Sequence, residues 1–218
     1  MHWDILDKKR ISLLKKIVEG VDLEEYYMAG GTALSLQLGL RKSVDFYFFV
    51  PHKFNPHSLY AQLKDICPND IISINVDNRG TCDAIMQGVQ VSFFEYPYHV
   101  LYEYVHDQSM PKLAMASIND IAAMKALAIG SRGAIKDFFD LYQIYQQSDY
   151  STQTLVHDLY LKYGEHADLS YVGMGLNYFE DAEQEKLPET YVTYNWKEIK
   201  KFFADIQQEF FHEIRNSD

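Results

Sequence analysis

Apolar residues follow two rhythms along this chain. Through about residue 115 they gather in short runs broken by Gly, Pro and Asn; beyond Ser117 they recur every three or four residues. Ile5, Leu6, Leu13, Leu14, Ile17 and Val18 lie at helical spacing, so Ile5–Val18 is predicted as an amphipathic helix. Lys8, Lys9, Arg10, Lys15 and Lys16 crowd its polar side, as a solvated face or as a contact with nucleic acid or a partner. Tyr26–Ala29 reads as a short strand stopped by Gly30-Gly31, and Thr32–Leu38 as a short helix ended by Gly39. Val44–Val50 is strongly β-prone and closes at Pro51. Pro56–Ile66 is expected to be helical. Asp70–Val76, Cys82–Met86 and Val89–Phe94 are expected as strands, with turns at Asn78-Arg79-Gly80 and Gln87-Gly88.

The second rhythm predicts helices over 121–129, 136–145, 151–163, about 169–181, and 196–214. Ser117-x-x-Asp120 reads as a capping box with Asp in place of Glu or Gln. The fold class is therefore α/β (α+β), with a mixed sheet and its helices over residues 1–115 and a helical region over 116–218.

Composition narrows the function classes. The chain has 218 residues and a formal net charge of −11, with 14 basic and 18 acidic groups before residue 151 and 6 and 13 after it. Phosphate binding rests on clustered Lys and Arg, so this is no general nucleic-acid coat, although a local basic site stays open. Two cysteines, Cys67 and Cys82, read as reduced core thiols. The start lacks a basic segment followed by an apolar run, and no stretch approaches a membrane span; a cytoplasmic protein is expected. The eight histidines have no zinc-site spacing.

Three blocks could carry chemistry. Gly30-Gly31-Thr32 lies between a strand and a helix, where glycines let backbone N–H groups approach a phosphate and the helix start adds partial positive charge; a plain structural turn is the other reading. In Arg41-Lys42-Ser43-Val44-Asp45-Phe46-Tyr47, strand alternation puts Ser43, Asp45 and Tyr47 on one face. A carboxylate there needs a partner or a metal. Lys125 lies in an uncharged stretch from Ile121 to Ser131, either snorkelling or facing an anion. Asp137 and Asp140 follow at i, i+3, which also suits a helix-start ion-pair cluster.

In their order and spacing these blocks resemble the AbiEii/AbiGii nucleotidyltransferase-like toxin family of the DNA polymerase β-like superfamily. The resemblance runs over about residues 5–145. It rests on Gly30-Gly31-Thr32-Ala33-Leu34, on Leu38-Gly39-x-Arg41-x-Ser43-x-Asp45, on Asp120-Ile121-x-Ala123-Met124-Lys125, and on Ala128-Ile129, Arg132 and Lys136-Asp137-Phe138-x-Asp140-Leu141-Tyr142. It implies a nucleotidyltransferase-like core and a bacterial protein that moves a nucleotide from an NTP to a tRNA-like acceptor. Gly30, Gly31, Thr32, Arg41 and Ser43 would bind the nucleotide, Asp45 would hold Mg²⁺, Lys125 would contact phosphate, and Asp137 would complete the site once the helical region packs back on the core. Family members are typically encoded beside an antitoxin, which makes a cognate antitoxin an expected partner.

The chain departs from that pattern where metal chemistry needs it. The family's strand carries carboxylates at i and i+2; here the second position is Tyr47, a neutral phenol and a poor Mg²⁺ ligand. On the Val89–Phe94 strand, Gln90, Ser92 and Phe94 share one face and none is acidic, Glu95 points the other way, and Asp83 is a remote substitute. Two readings follow: transfer with metal held by Asp45 and triphosphate oxygens, or a degenerate relative that binds a nucleotide or a protein. The aromatic run Tyr96, Tyr98, Tyr102 and Tyr104 either stacks bases or packs over the sheet.

Overall fold

A computed structural model of the chain describes residues 1–69, 71–77, 80–164 and 168–217. The expected turn at 78–80 falls largely outside them. The chain forms two compact units, Met1–His99 with Glu103–Ser117, and Val100–Tyr102 with Ile118–Asp218.

The first unit is built on a seven-stranded mixed sheet among the described residues: β1 Tyr27–Ala29, β2 Phe46–Val50, β3 Ile71–Asp77, β4 Thr81–Met86, β5 Val89–Glu95, β6 Val105–Asp107 and β7 Met110–Met115. Their order is β3-β4-β5-β2-β1-β7-β6. β2 pairs parallel with β5 and antiparallel with β1, while β1 pairs parallel with β7. Alternation sets the two faces. Phe46, Phe48 and Val50 of β2 are buried with Phe93 of β5, and Phe48 stacks on Phe93 at 4.8 Å. Tyr47 and Phe49 point to the other face and stay half-buried. Helix α1, Lys8–Gly20, starts where the Asp7 carboxylate accepts from the Arg10 N–H at 2.8 Å and buries Leu13, Leu14, Ile17 and Val18. Helix α2 spans Gly30–Leu38 and ends at left-handed Gly39 (φ +67°); α3 spans Pro56–Ile66 behind the Asn55 cap.

Three local expectations need correction here. Gly30-Gly31 ends β1 as expected, but the helix expected from Thr32 starts two residues earlier, with both glycines in the first turn of α2. Val44 and Asp45 precede β2 rather than lying in it. Strands β6 and β7 were not foreseen, because Pro111 and Lys112 interrupt the apolar pattern and β7 is stabilised by its non-local parallel partner β1.

The second unit is helical: α4 Ile118–Arg132, α5 Ile135–Gln147, α6 Thr152–Tyr163, α7 Leu169–Gly175, α8 Glu180–Glu183 and α9 Trp196–Ser217. The helix expected over 169–181 is broken between α7 and α8. A Cβ at Gly175 would lie 2.7 Å from the Gly130 Cα, so glycine here permits close helix contact. Ile199, Phe203, Ile206 and Phe210 form the buried stripe of α9, and Phe203 meets Phe138 of α5 edge-on at 5.1 Å.

Candidate functional site

The first unit brings six of the expected site residues together. Ala29 is extended, Gly30 has φ +79°, and α2 begins there with its first N–H groups lacking intrahelical acceptors. Thr32 is fully buried. Its hydroxyl donates to the Asp45 carbonyl at 2.6 Å and hydrogen-bonds Ser43 Oγ at 2.9 Å. These bonds pin the segment before β2 against the start of α2, so Thr32 offers an incoming anion its main chain rather than its side chain. A Cβ at Gly31 would collide with Arg41 Nη2 and stand 3.0 Å from Ser43 Oγ. Arg41 is 3 % exposed, and its Nη1 donates to the Lys42 carbonyl at 3.1 Å. A buried guanidinium thus lies against the glycine pair at the positive end of a helix. Positive charge so placed is of the kind that attracts phosphate.

The half of the site that would hold metal is different. Asp45 Oδ1 accepts from the Gln90 N–H at 3.3 Å, which orients the carboxylate ahead of β2. Tyr47 lies across the ladder from Ala29 on one side and Ser92 on the other, and Ser92 lies across from Asp83 on β4. Ser92 accepts from Gln90 Nε2 at 3.3 Å. Asp83 Oδ1 is buried with no hydrogen-bond partner among the described residues, but two ladder steps separate it from Tyr47. Glu95 lies opposite Val50, on the face away from Tyr47. Among the described residues no group of three or more His, Cys, Asp and Glu side chains could hold a metal ion. The donor set does not make a resident Mg²⁺ cage, because a hard cation of this size wants several oxygen ligands and Asp45 is a single carboxylate.

Lys125 and Asp137, the other two expected site residues, meet in the second unit. The Lys125 ammonium donates to Asp137 Oδ1 at 2.8 Å and lies 2.6 Å from Asp140 Oδ2. Both carboxylates are fully buried, and Lys125 is 5 % exposed. Arg132 adds Nε to Asp137 Oδ2 at 2.8 Å and Nη2 to Oδ1 at 3.1 Å. Burial alone would raise the Asp137 carboxyl; Lys125 and Arg132 outweigh it and hold it down to about 2. The lysine in the uncharged stretch therefore answers two buried carboxylates and joins α4 to α5.

A second buried ion pair escaped the sequence reading. It is built around Asp120, the acidic residue of the Ser117-x-x-Asp120 start of α4. Its Oδ1 accepts from Lys162 at 2.7 Å and from the Leu101 N–H at 3.0 Å, and its Oδ2 from the Tyr102 N–H at 3.1 Å. Two tyrosine hydroxyls, from Tyr102 and Tyr150, donate to Asp158 at 2.6 and 2.8 Å. Burial raises the Asp158 carboxyl. The available signal was Lys162, a lone cation in the apolar pattern of α6. Cys67 and Cys82 are buried free thiols, and burial pushes Cys82 up to about 11, well away from nucleophile range. No helix among the described residues is long and apolar enough to cross a membrane.

Comparison with known proteins agrees with this fold. An uncharacterised protein of Aquifex aeolicus (strain VF5) is 33 % identical over 200 residues, spanning 91 % of this chain and 94 % of its own. A crystal structure of an H. pylori protein, proposed to be a nucleotidyltransferase, superposes with a TM-score of 0.56 at 18 % identity, covering 98 % of this chain and 99 % of that one; this likeness shows the fold. The family described as "Nucleotidyl transferase AbiEii toxin, Type IV TA system" matches residues 12–212. The chain belongs to that AbiEii nucleotidyltransferase toxin family.

Proposed function

We propose that the chain binds a nucleoside triphosphate at the start of α2 and transfers its nucleotide to a nucleic-acid acceptor of the tRNA kind. The observation that carries this reading is the buried Arg41 guanidinium against Gly31, beside the N-terminus of α2. Gly30 and Gly31 present main-chain N–H groups to the phosphates, and Arg41 supplies charge-assisted hydrogen bonds. Ser43 and Thr32 hold the loop that carries both. In transfer, an acceptor hydroxyl attacks the α-phosphorus in line and pyrophosphate leaves; Arg41 and the helix start stabilise the charge on the phosphate oxygens. Mg²⁺ belongs to this proposal as part of the Mg–triphosphate substrate, with Asp45 as the protein carboxylate nearest to hand. Lys125 and Asp137 serve the second unit by fixing α4 against α5. A cognate antitoxin is the proposed protein partner, in keeping with the family.

Tyr47 favours a second reading, binding without transfer, because it removes the second carboxylate. Calorimetry with each NTP, with and without Mg²⁺, followed by incubation with labelled NTP and bulk tRNA, separates the two. Mg²⁺-dependent NTP binding with label moving to tRNA supports transfer. Binding with no label transfer supports the degenerate reading. Absence of NTP binding overturns transfer and nucleotide binding alike and leaves the degenerate reading a protein ligand alone.

A further inference from the structure

We propose that the aromatic row on the Tyr47 face of the sheet is a shelf for the nucleobase of the nucleotide whose phosphates sit at Gly30-Gly31; the inference rests on that phosphate reading. Tyr47 begins the row, its Cδ2 only 3.7 Å from where a Gly30 Cβ would stand. Phe94 stacks on Tyr47 at 6.2 Å and tilts against Phe49 at 5.6 Å. Phe49 stacks on Tyr27 at 5.8 Å, Tyr27 meets Tyr104 at 5.6 Å, and Tyr96 abuts Phe49 edge-on at 5.3 Å. All of these rings belong to the first unit.

The row contrasts with the opposite face of the same strands. There Phe46, Phe48 and Phe93 are at most 1 % exposed, as core rings should be. Here Tyr47, Phe49, Phe94 and Tyr96 are only half-buried and Tyr104 is 40 % exposed, while Tyr27, between Phe49 and Tyr104, is fully buried and backs the row. The partly wet patch is Tyr47, Phe49, Phe94 and Tyr96; such rings gain most from a flat apolar partner, and every base has such a face. Position fits a base rather than a phosphate. Phe49 lies two residues along β2 from Tyr47, about 7 Å further from the level of Gly30, with Phe94 directly across the ladder. A nucleotide anchored by its phosphates at α2 can lay its base there. Tyr47 is on this view an aromatic floor where the family pattern has a metal ligand.

The test compares the four NTPs with inorganic tripolyphosphate by calorimetry, on the native chain and on Phe49→Leu and Phe94→Leu, which remove a ring and keep apolar bulk. Thermal melts confirm that each variant is folded. The native chain is expected to bind NTPs about tenfold more tightly than tripolyphosphate. Each variant should lose most of that preference and keep its tripolyphosphate affinity. Equal binding of NTP and tripolyphosphate by the native chain, or a preference that survives both substitutions in folded protein, overturns the shelf and spares the phosphate site. Failure of both ligands to bind overturns the phosphate reading and the shelf with it.

Discussion

Tyr47 stands directly across the parallel β2–β5 ladder from Ser92. A phenol and a hydroxyl thus face each other on the sheet face that also carries Asp45 at its edge. The Gln90 N–H orients Asp45, yet among the described residues no group of three or more His, Cys, Asp and Glu side chains could hold a metal ion there. Tyr47→Asp places a second carboxylate two residues on from Asp45. The variant is expected to raise the ratio of NTP affinity with Mg²⁺ to NTP affinity without it at least about tenfold, a ratio that the loss of the Tyr47 ring from base stacking leaves unchanged, since each added charged ligand tightens a hard-cation site. Titration of both proteins with and without Mg²⁺ checks this, and an unchanged ratio shows that Asp45 is not placed to share a cation with residue 47.

In the proposed phosphate site Arg41 supplies the side-chain charge. Arg41→Gln keeps much of the side chain's bulk and removes the cation. NTP affinity is expected to fall about tenfold or more, the usual effect of losing a charge-assisted hydrogen bond. Lys42 is exposed beside it. Any salt-sensitive RNA gel shift should weaken with Lys42→Ala or Arg41→Ala, and a shift indifferent to both would mean that RNA approaches elsewhere.

The two glycines should fail in different ways. Gly30 has φ +79°, so Gly30→Ala forces a left-handed alanine and is expected to cost about 1–2 kcal/mol of stability. Gly31 has ordinary backbone, but a methyl there displaces the Arg41 guanidinium. Gly31→Ala should lose NTP affinity more than it loses melting temperature. Melting curves beside NTP titrations distinguish the two effects.

The Lys125 cluster should matter for stability more than for ligand binding. Lys125→Met leaves Asp137 and Asp140 buried without their shared cation, at an expected cost of about 3–5 kcal/mol in urea unfolding. The pH response has a definite sign. Folding depresses the Asp137 carboxyl to about 2, so its ionised form stabilises the fold fully above the ordinary carboxylate range. That stability is lost as pH falls through that range toward 2. Urea midpoints at pH 5, 4 and 3 should fall more steeply for the native chain than for Asp137→Asn.

Much of the fold was legible because its signals are local. Asn55-Pro56 starts α3, Gly39 ends α2, and the β-prone run closed by Pro51 marks β2. The break after α7 and the strands β6 and β7 were not legible. The first follows from a contact between Gly130 and Gly175, 45 positions apart, and the second from pairing of Met28 with Met115. Neither partner can be read from a window of neighbouring residues. Within the candidate site the sequence grouped Gly30, Gly31, Thr32, Arg41, Ser43 and Asp45 correctly in space, because all lie within one strand-helix-strand unit.

By itself the sequence determined residue chemistry and order: a glycine pair at a helix start, an arginine and a serine after it, a tyrosine in a carboxylate's place, and a lysine followed by two aspartates at helical spacing. Those are covalent facts, and helical and strand periodicity carries them to a face. Tertiary structure alone decided what each group is spent on. Packing turned the Thr32 hydroxyl inward to Asp45, brought Lys162 to Asp120, and left a row of rings half-buried on one side of the sheet. The reason is desolvation: a polar group's task is set by the partner it meets when water is removed, and that partner comes from a distant part of the chain.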